Sequence, residues 1–192
     1  MHRTLWSTMA VLALVVLASR ARAAADEPKA AKMPDCVYVG TPNDVVAKML
    51  EMANIQKSDL VYDPGCGDGR MVVMAAKKYG CKAVGFEIVP KLIAEGRQLA
   101  KKRKVDDLVK IEDQDIFKVD YSPATVISMY LLPDMIVKLL PALEKMKPGS
   151  RIVAHDYPIR GVAPGRIVTL TSNEDNVKHT LYSYTLPLKK EN

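Results

Sequence analysis

Asp63, Gly65, Gly67 and Gly69 stand together in Val61-Tyr62-Asp63-Pro64-Gly65-Cys66-Gly67-Asp68-Gly69-Arg70, the stretch of this sequence best equipped to hold a small molecule. Glycines at alternate positions let the backbone turn tightly and approach a ligand with no side chain in the way. A helix following at once, over Met71–Tyr79, would aim its unpaired N–H groups and positive dipole end at the turn. The G-x-G-x-G spacing behind an acid differs from the G-x-G-x-x-G turn that fits a pyrophosphate. It suits a ligand with a cationic end. Glu87 follows 24 residues after Asp63, and a carboxylate there can accept hydrogen bonds from both hydroxyls of a ribose. In Asp113-Gln114-Asp115-Ile116-Phe117, an acid and a neighbouring backbone N–H can read an adenine edge, with Ile88 and Ile116 sandwiching the ring. Two further clusters, Tyr130-Leu131-Leu132-Pro133 and His155-Asp156-Tyr157-Pro158, offer an aromatic ring and two groups able to accept a proton. His179 lies mid-strand and reads as structural.

These groups are useful only if elements bring them together. Thr41 is a good N-cap and Pro42 a good first helical residue. Val45, Val46, Met49, Leu50 and Ala53 then form one apolar stripe, so a helix is expected over 42–55. Strands alternate with helices from there: strands at 60–62, 83–86, 108–112, 125–130 and 151–155, helices at 71–79, 89–100 and 134–140. Pro141 is expected to break the last of these, opening a second short helix to Met146. Arg166–Thr171 and Val177–Leu186 are rich in β-formers and separated by a Ser-Asn-Glu-Asp-Asn turn, so they should pair antiparallel. The pattern predicts an α/β fold: a doubly wound, Rossmann-like sheet, mostly parallel, closed by a C-terminal antiparallel β-hairpin. Open sheets of this kind bind ligands beyond the carboxyl ends of their strands. Asp63, Glu87, Asp115, Tyr130 and His155 all fall at such ends.

Composition excludes some functions. The chain carries 28 basic and 22 acidic residues, but Arg3, Arg20 and Arg22 precede the first acid. The remaining surplus is too small to indicate nucleic acid, and the one basic cluster, Lys101–Lys104, suits the end of a helix. Cys36, Cys66 and Cys81 are odd in number and lack metal spacing, so neither a disulfide framework nor a metal site is expected. At the N-terminus, Arg3, an apolar run from Thr8 to Ala18 and Ala23-Ala24-Ala25 form a signal-peptide pattern over 1–25. It predicts export to the periplasm or medium. An uncleaved membrane anchor is the alternative, although the run is short of the ~20 residues a spanning helix needs. Residues 26–36 read as a linker and 37–192 as the folded domain.

From Tyr38 to Pro187 the chain resembles class I S-adenosylmethionine-dependent methyltransferases, and more closely the small bacterial and mitochondrial protein-lysine methyltransferases. These are distant relatives of the histone-lysine methyltransferases that lack a SET domain. Tyr38-Val39-Gly40-Thr41-Pro42, the Asp63–Arg70 turn, Val84-Gly85-Phe86-Glu87, Asp115-Ile116-Phe117, Tyr130-Leu131-Leu132-Pro133 and Pro148–Val153 carry the resemblance. It implies that Asp63, Gly65, Gly67, Glu87 and Asp115 contact S-adenosyl-L-methionine, with Tyr38 and Thr41 forming a flap over it. Gly40 stands where relatives often have proline, which implies a looser flap. The resemblance also implies a protein partner with an accessible lysine. Tyr130 would shape the acceptor channel, and Asp156 or His155 would take the amine proton. A small molecule is the alternative acceptor, and a non-catalytic cofactor-binding protein the alternative role. The run after the fourth strand is not Asn/Asp-Pro-Pro-Tyr, which counts against a base or amide nitrogen as acceptor. A dinucleotide oxidoreductase would need the longer glycine turn.

Overall fold

The computed structural model describes residues 37–191. The expected signal segment (1–25) and linker (26–36) lie outside the described residues. Helix α1 (Asn43–Met52) buries Val45, Val46, Met49 and Leu50. It is followed by β1 (Leu60–Pro64), α2 (Arg70–Tyr79), β2 (Lys82–Glu87), α3 (Pro90–Arg103), β3 (Val109–Asp113), a 3-10 turn (Ile116–Lys118), β4 (Val126–Met129), α4 (Pro133–Leu143) and β5 (Arg151–His155). Strands β6 (Arg166–Thr171) and β7 (Lys178–Thr185) close the chain. All seven strands form one sheet in the order β3-β2-β1-β4-β5-β7-β6. The first five are parallel; β7 runs antiparallel to β5, and β6 antiparallel to β7. The expected fold class is therefore the one observed.

The central strands show why. All four residues of β4 and all but the first of β5 are buried, as parallel strands covered by helices on both faces require. One apolar cluster joins α1, α2 and α3 to one face of the sheet. A second joins α4 to the other face, around Ile127, Met129, Ile136, Leu139 and Ile152. Strand β6 is an edge, with mostly exposed side chains. No helix among the described residues is long and apolar enough to cross a membrane.

Three local expectations are corrected. Thr41 does not cap α1: the helix begins at Asn43 with no side-chain cap, and the Thr41 hydroxyl lies 3.1 Å from His155 Nδ1 instead. The tertiary partner outcompetes the local one. The helix also ends at Met52, short of the expected 55. Pro141 does not break its helix either, for α4 runs through it to Leu143. The proline falls in the last turn, where the one carbonyl it leaves without an N–H, that of Val137, belongs to a half-exposed residue and can be hydrated.

Candidate functional site

The carboxyl ends of β1, β2 and β4, with the loop after β3, surround a cavity of about 640 Å³. This is within the usual size of sites that enclose a small organic ligand. Gly65, Glu87, Ile88, Asp115, Ile116 and Tyr130 all line it, as does Tyr38. A recess of about 40 Å³ beside it is bordered by Thr41, Asp63, Asp68 and Arg70. The topology thus gathers Asp63, Glu87, Asp115 and Tyr130 into two adjoining spaces, one nucleoside-sized and one small and charged, whereas His155, Asp156 and Gly67 line neither.

The turn itself is built by glycines. Gly65, Gly67 and Gly69 have φ of 73°, 55° and 77°, a region that costs residues with a Cβ roughly 1 kcal/mol or more. At Gly67 a Cβ would also lie 2.1 Å from the Tyr38 ring. The ring of Tyr38 therefore rests on the turn, and burial followed by the charge of Asp68 raises its pKa.

Glu87 is held firmly. One carboxylate oxygen accepts from the Gly67 N–H at 3.0 Å. The other accepts from the N–H groups of Ile88 at 2.7 Å and Val89 at 3.0 Å. Each oxygen keeps further acceptor capacity, and the residue lines the cavity. Asp115 caps the 3-10 turn through Phe117 N–H at 3.1 Å. Asp63 is buried and accepts from the Ser128 hydroxyl at 3.0 Å. Burial is the main cause that lifts its pKa to about 7; Ser128 opposes this and the charges of Glu87 and Asp68 add to it. A cation in the recess would favour its ionised form. Cys66 is no nucleophile: it packs against Gly85, and burial pushes its thiol pKa well up.

Two features escaped sequence reasoning. The first is Arg70. It holds Asp68 at 2.8–3.2 Å and donates to the Thr41 carbonyl at 2.8 Å. Its guanidinium lies against Gly40, where a Cβ would meet it at 2.7 Å. The missing side chain at Gly40 is thus filled by a clamp between the flap and the turn, and the expected loosening is offset. The second is His179. From β7 it reaches His155, with 2.9 Å between His155 Nε2 and His179 Nδ1. Asp156 turns towards this pair, its Oδ2 lying 3.3 Å from His155 Nε2 and 3.4 Å from His179 Nδ1. Burial holds the His155 imidazole well below its ordinary pKa. The tilted ring of Tyr130 lies 4.1 Å from that of His155 and stacks at 6.1 Å on Tyr157. Antiparallel pairing of β5 and β7 places His155 beside His179, and nothing in the local sequence signals that.

The residues fit S-adenosyl-L-methionine. A firmly held acid bonded to the glycine turn, two apolar residues, Ile88 and Ile116, lining the same cavity, and a buried acid in the adjoining recess suit its three parts. Residues 63–166 match the ANTKMT methyltransferase domain. A protein-lysine N-methyltransferase from Saccharolobus islandicus (strain REY15A) is 42% identical over 156 residues, covering 80% of this chain and 96% of that protein. A human lysine N-methyltransferase named for a component of ATP synthase is 30% identical over 131 residues, covering 68% of this chain. The match spans only 55% of the human protein's length. Among solved structures, an RNA methyltransferase from Salinibacter ruber, in complex with S-adenosyl-L-homocysteine, is 43% identical with a TM-score of 0.72. It covers 78% of this chain and 94% of that one. The chain belongs to the ANTKMT methyltransferase domain family and is an S-adenosylmethionine-dependent methyltransferase.

Proposed function

We propose that the chain transfers the methyl group to lysine side chains of proteins. The observation that carries this reading is Tyr130, which lines the cavity and is backed by the rings of His155 and Tyr157. Aromatic faces attract an ammonium group, and an apolar mouth strips it of water. Lysine has an ordinary pKa of ~10.4 and must lose a proton before it can attack; desolvation near a positive centre favours that loss. The lysine-directed relatives, archaeal and human, support the same acceptor.

The bound cofactor supplies an electrophilic methyl on a sulfonium, and the protein's task is to position and dehydrate. In this reading Glu87 receives the ribose hydroxyls, Ile88 and Ile116 enclose the adenine, and Asp115 takes its amino group. Asp63 stands in the recess towards the amino-acid end. Tyr38 and Thr41 cover the ligand, and Gly65 and Gly67 permit its approach. The Asp156 carboxylate, turned to His155 and His179, would act on a proton only through water or through His155.

RNA is the second reading, favoured by the name of the Salinibacter ruber relative. Against it, no basic stripe of the kind a phosphate backbone needs borders the cavity among the described residues. Arg160 is engaged with Asp134 at 3.4 Å, and Lys138 lies 3.7 Å over the ring of Phe117. Labelled cofactor and a lysate of the native host decide between the two. Label in protein, resistant to ribonuclease and lost after reductive alkylation of lysines, is the expected result. Label that vanishes with ribonuclease, or persists on protein after alkylation, overturns the lysine reading.

A further inference from the structure

We propose that His155, Asp156 and His179 form a site for a divalent transition-metal ion, zinc by preference, at the junction of β5 and β7. The inference stands on the geometry of these side chains and does not depend on which acceptor the enzyme uses.

Three ligand atoms converge. His155 Nε2, His179 Nδ1 and Asp156 Oδ2 form a triangle with sides of 2.9, 3.3 and 3.4 Å. A four-coordinate zinc ion, with metal–ligand distances of ~2.0–2.1 Å, separates neighbouring ligand atoms by ~3.3 Å. Two sides already have that length, and the third needs to open by only ~0.4 Å. Both histidines are buried, while Asp156 is partly exposed. The latter leaves a route for the ion and a fourth position for water.

The outer nitrogens make the case stronger. His155 Nδ1 faces the Thr41 hydroxyl at 3.1 Å, and His179 Nε2 faces the Asp175 carboxylate at 3.1 Å. An imidazole that donates its far N–H to an oxygen turns the other nitrogen's lone pair inward, the usual arrangement behind a metal ligand. In a metal-free arrangement, Thr41 would donate to His155 and a single proton would lie between the two inner nitrogens. Asp156 Oδ2 would then face a ring lone pair across about 3.4 Å. A cation gives all three acceptors one partner.

The anchoring of Asp156 fits a built site. Its φ of 57° lies in the left-handed region. Its N–H bonds the Thr180 carbonyl at 2.7 Å, and its other oxygen accepts the Thr180 N–H at 2.9 Å. The carboxylate is thereby aimed at the histidine pair. Two imidazoles and one carboxylate suit zinc better than the all-oxygen cations. Bound there, the ion would tie β7 to β5 and fix the His155 ring against which Tyr130 packs. It would take His155 Nε2 and Asp156 Oδ2 out of proton transfer, and would reach the cofactor side only through Thr41, which meets His155 Nδ1.

Full-length protein, freed of metal by chelation, should be titrated with zinc(II) alone by calorimetry and with cobalt(II) alone by visible absorption. The expected result is one ion per chain, with the intense visible bands of four-coordinate cobalt, and no binding of magnesium(II) at the same concentration. His179→Gln should weaken zinc binding at least tenfold, and Asp175→Asn, which meets the site only through the outer nitrogen of His179, by about tenfold. Both variants should keep wild-type affinity for S-adenosyl-L-homocysteine, which verifies the fold. Absence of stoichiometric binding, binding unchanged by His179→Gln, or a cobalt–thiolate band that places the ion on cysteine would each overturn the site.

Discussion

At the scale of single residues, Asp63 carries the clearest consequence of burial. Its folded-state pKa, raised from 3.8 to about 7 by burial, means that the folded protein holds this proton more tightly than the unfolded chain. The associated stability is complete below the unfolded pKa and is lost as pH rises towards 7. Asp63→Asn, which keeps an acceptor for Ser128, should therefore gain stability relative to wild type as pH increases. The gain between pH 5 and pH 8 should be about 2–3 kcal/mol, measured by urea unfolding at both values. An equal difference at the two pH values would show that Asp63 is ionised throughout. Glu87 differs, because its carboxylate is satisfied by three backbone N–H groups and its role lies in binding. Glu87→Ala should weaken S-adenosyl-L-homocysteine binding by about ten- to a hundredfold, since charge-assisted hydrogen bonds contribute ~1.5–3 kcal/mol each before water replaces part of them. Calorimetry reads this directly, and unchanged affinity would move the ribose elsewhere.

At the scale of elements, the flap and the turn are one unit because Arg70 joins them. It stands at the first position of α2, bonds Asp68, and reaches the Thr41 carbonyl. Arg70→Ala should release the flap while α2 stays folded. The expected outcome is a cofactor off-rate raised about tenfold with a smaller change in on-rate, since a clamp of this kind contributes ~1–2 kcal/mol; stopped-flow fluorescence would follow both. Opposite the site, the amino ends of three strands share another node. Asp59 pairs with Arg151 at the start of β5, and accepts from Thr125 before β4 at 2.7 Å and from Gln56 N–H at 2.7 Å. Asp59→Ala should cost about 3 kcal/mol of stability, in line with removing one partner of a buried pair. The distance of a strand's length from the cavity means that cofactor affinity should not change. A loss of affinity matching the loss of stability would show that the two ends of the sheet are coupled.

At the scale of the whole molecule, the strand order decides what meets what. The parallel strands β1, β2 and β4 deliver the cofactor-side residues, and the antiparallel insertion of β7 beside β5 delivers His179 to His155. For the segment before the domain we propose cleavage after Ala25 and export, motivated by the charged start, the apolar run and the small residues of the first 25 positions. Intact-mass measurement on protein from the native host should give a chain beginning at Asp26. Retention of the full segment in a membrane fraction would favour an anchor.

The sequence by itself determined the alternation of strands and helices, the glycine turn, and the acids at Asp63, Glu87 and Asp115, because period, turn chemistry and strand-end position are local properties. Sheet class followed, since parallel strands joined by helices have few ways to pack. It did not determine the fate of Thr41, which left its cap for His155, or of Arg70, whose partner Thr41 lies 29 positions away. Nor did it show that α4 would continue through Pro141, or that His155 and His179, 24 positions apart, would share one side of the site. Those outcomes belong to the tertiary structure. Apart from α4, where the carbonyl left by Pro141 can be hydrated at a half-exposed position, they are contacts between segments that meet only when the sheet has closed, where a polar group finds a better partner in a distant segment than along its own chain.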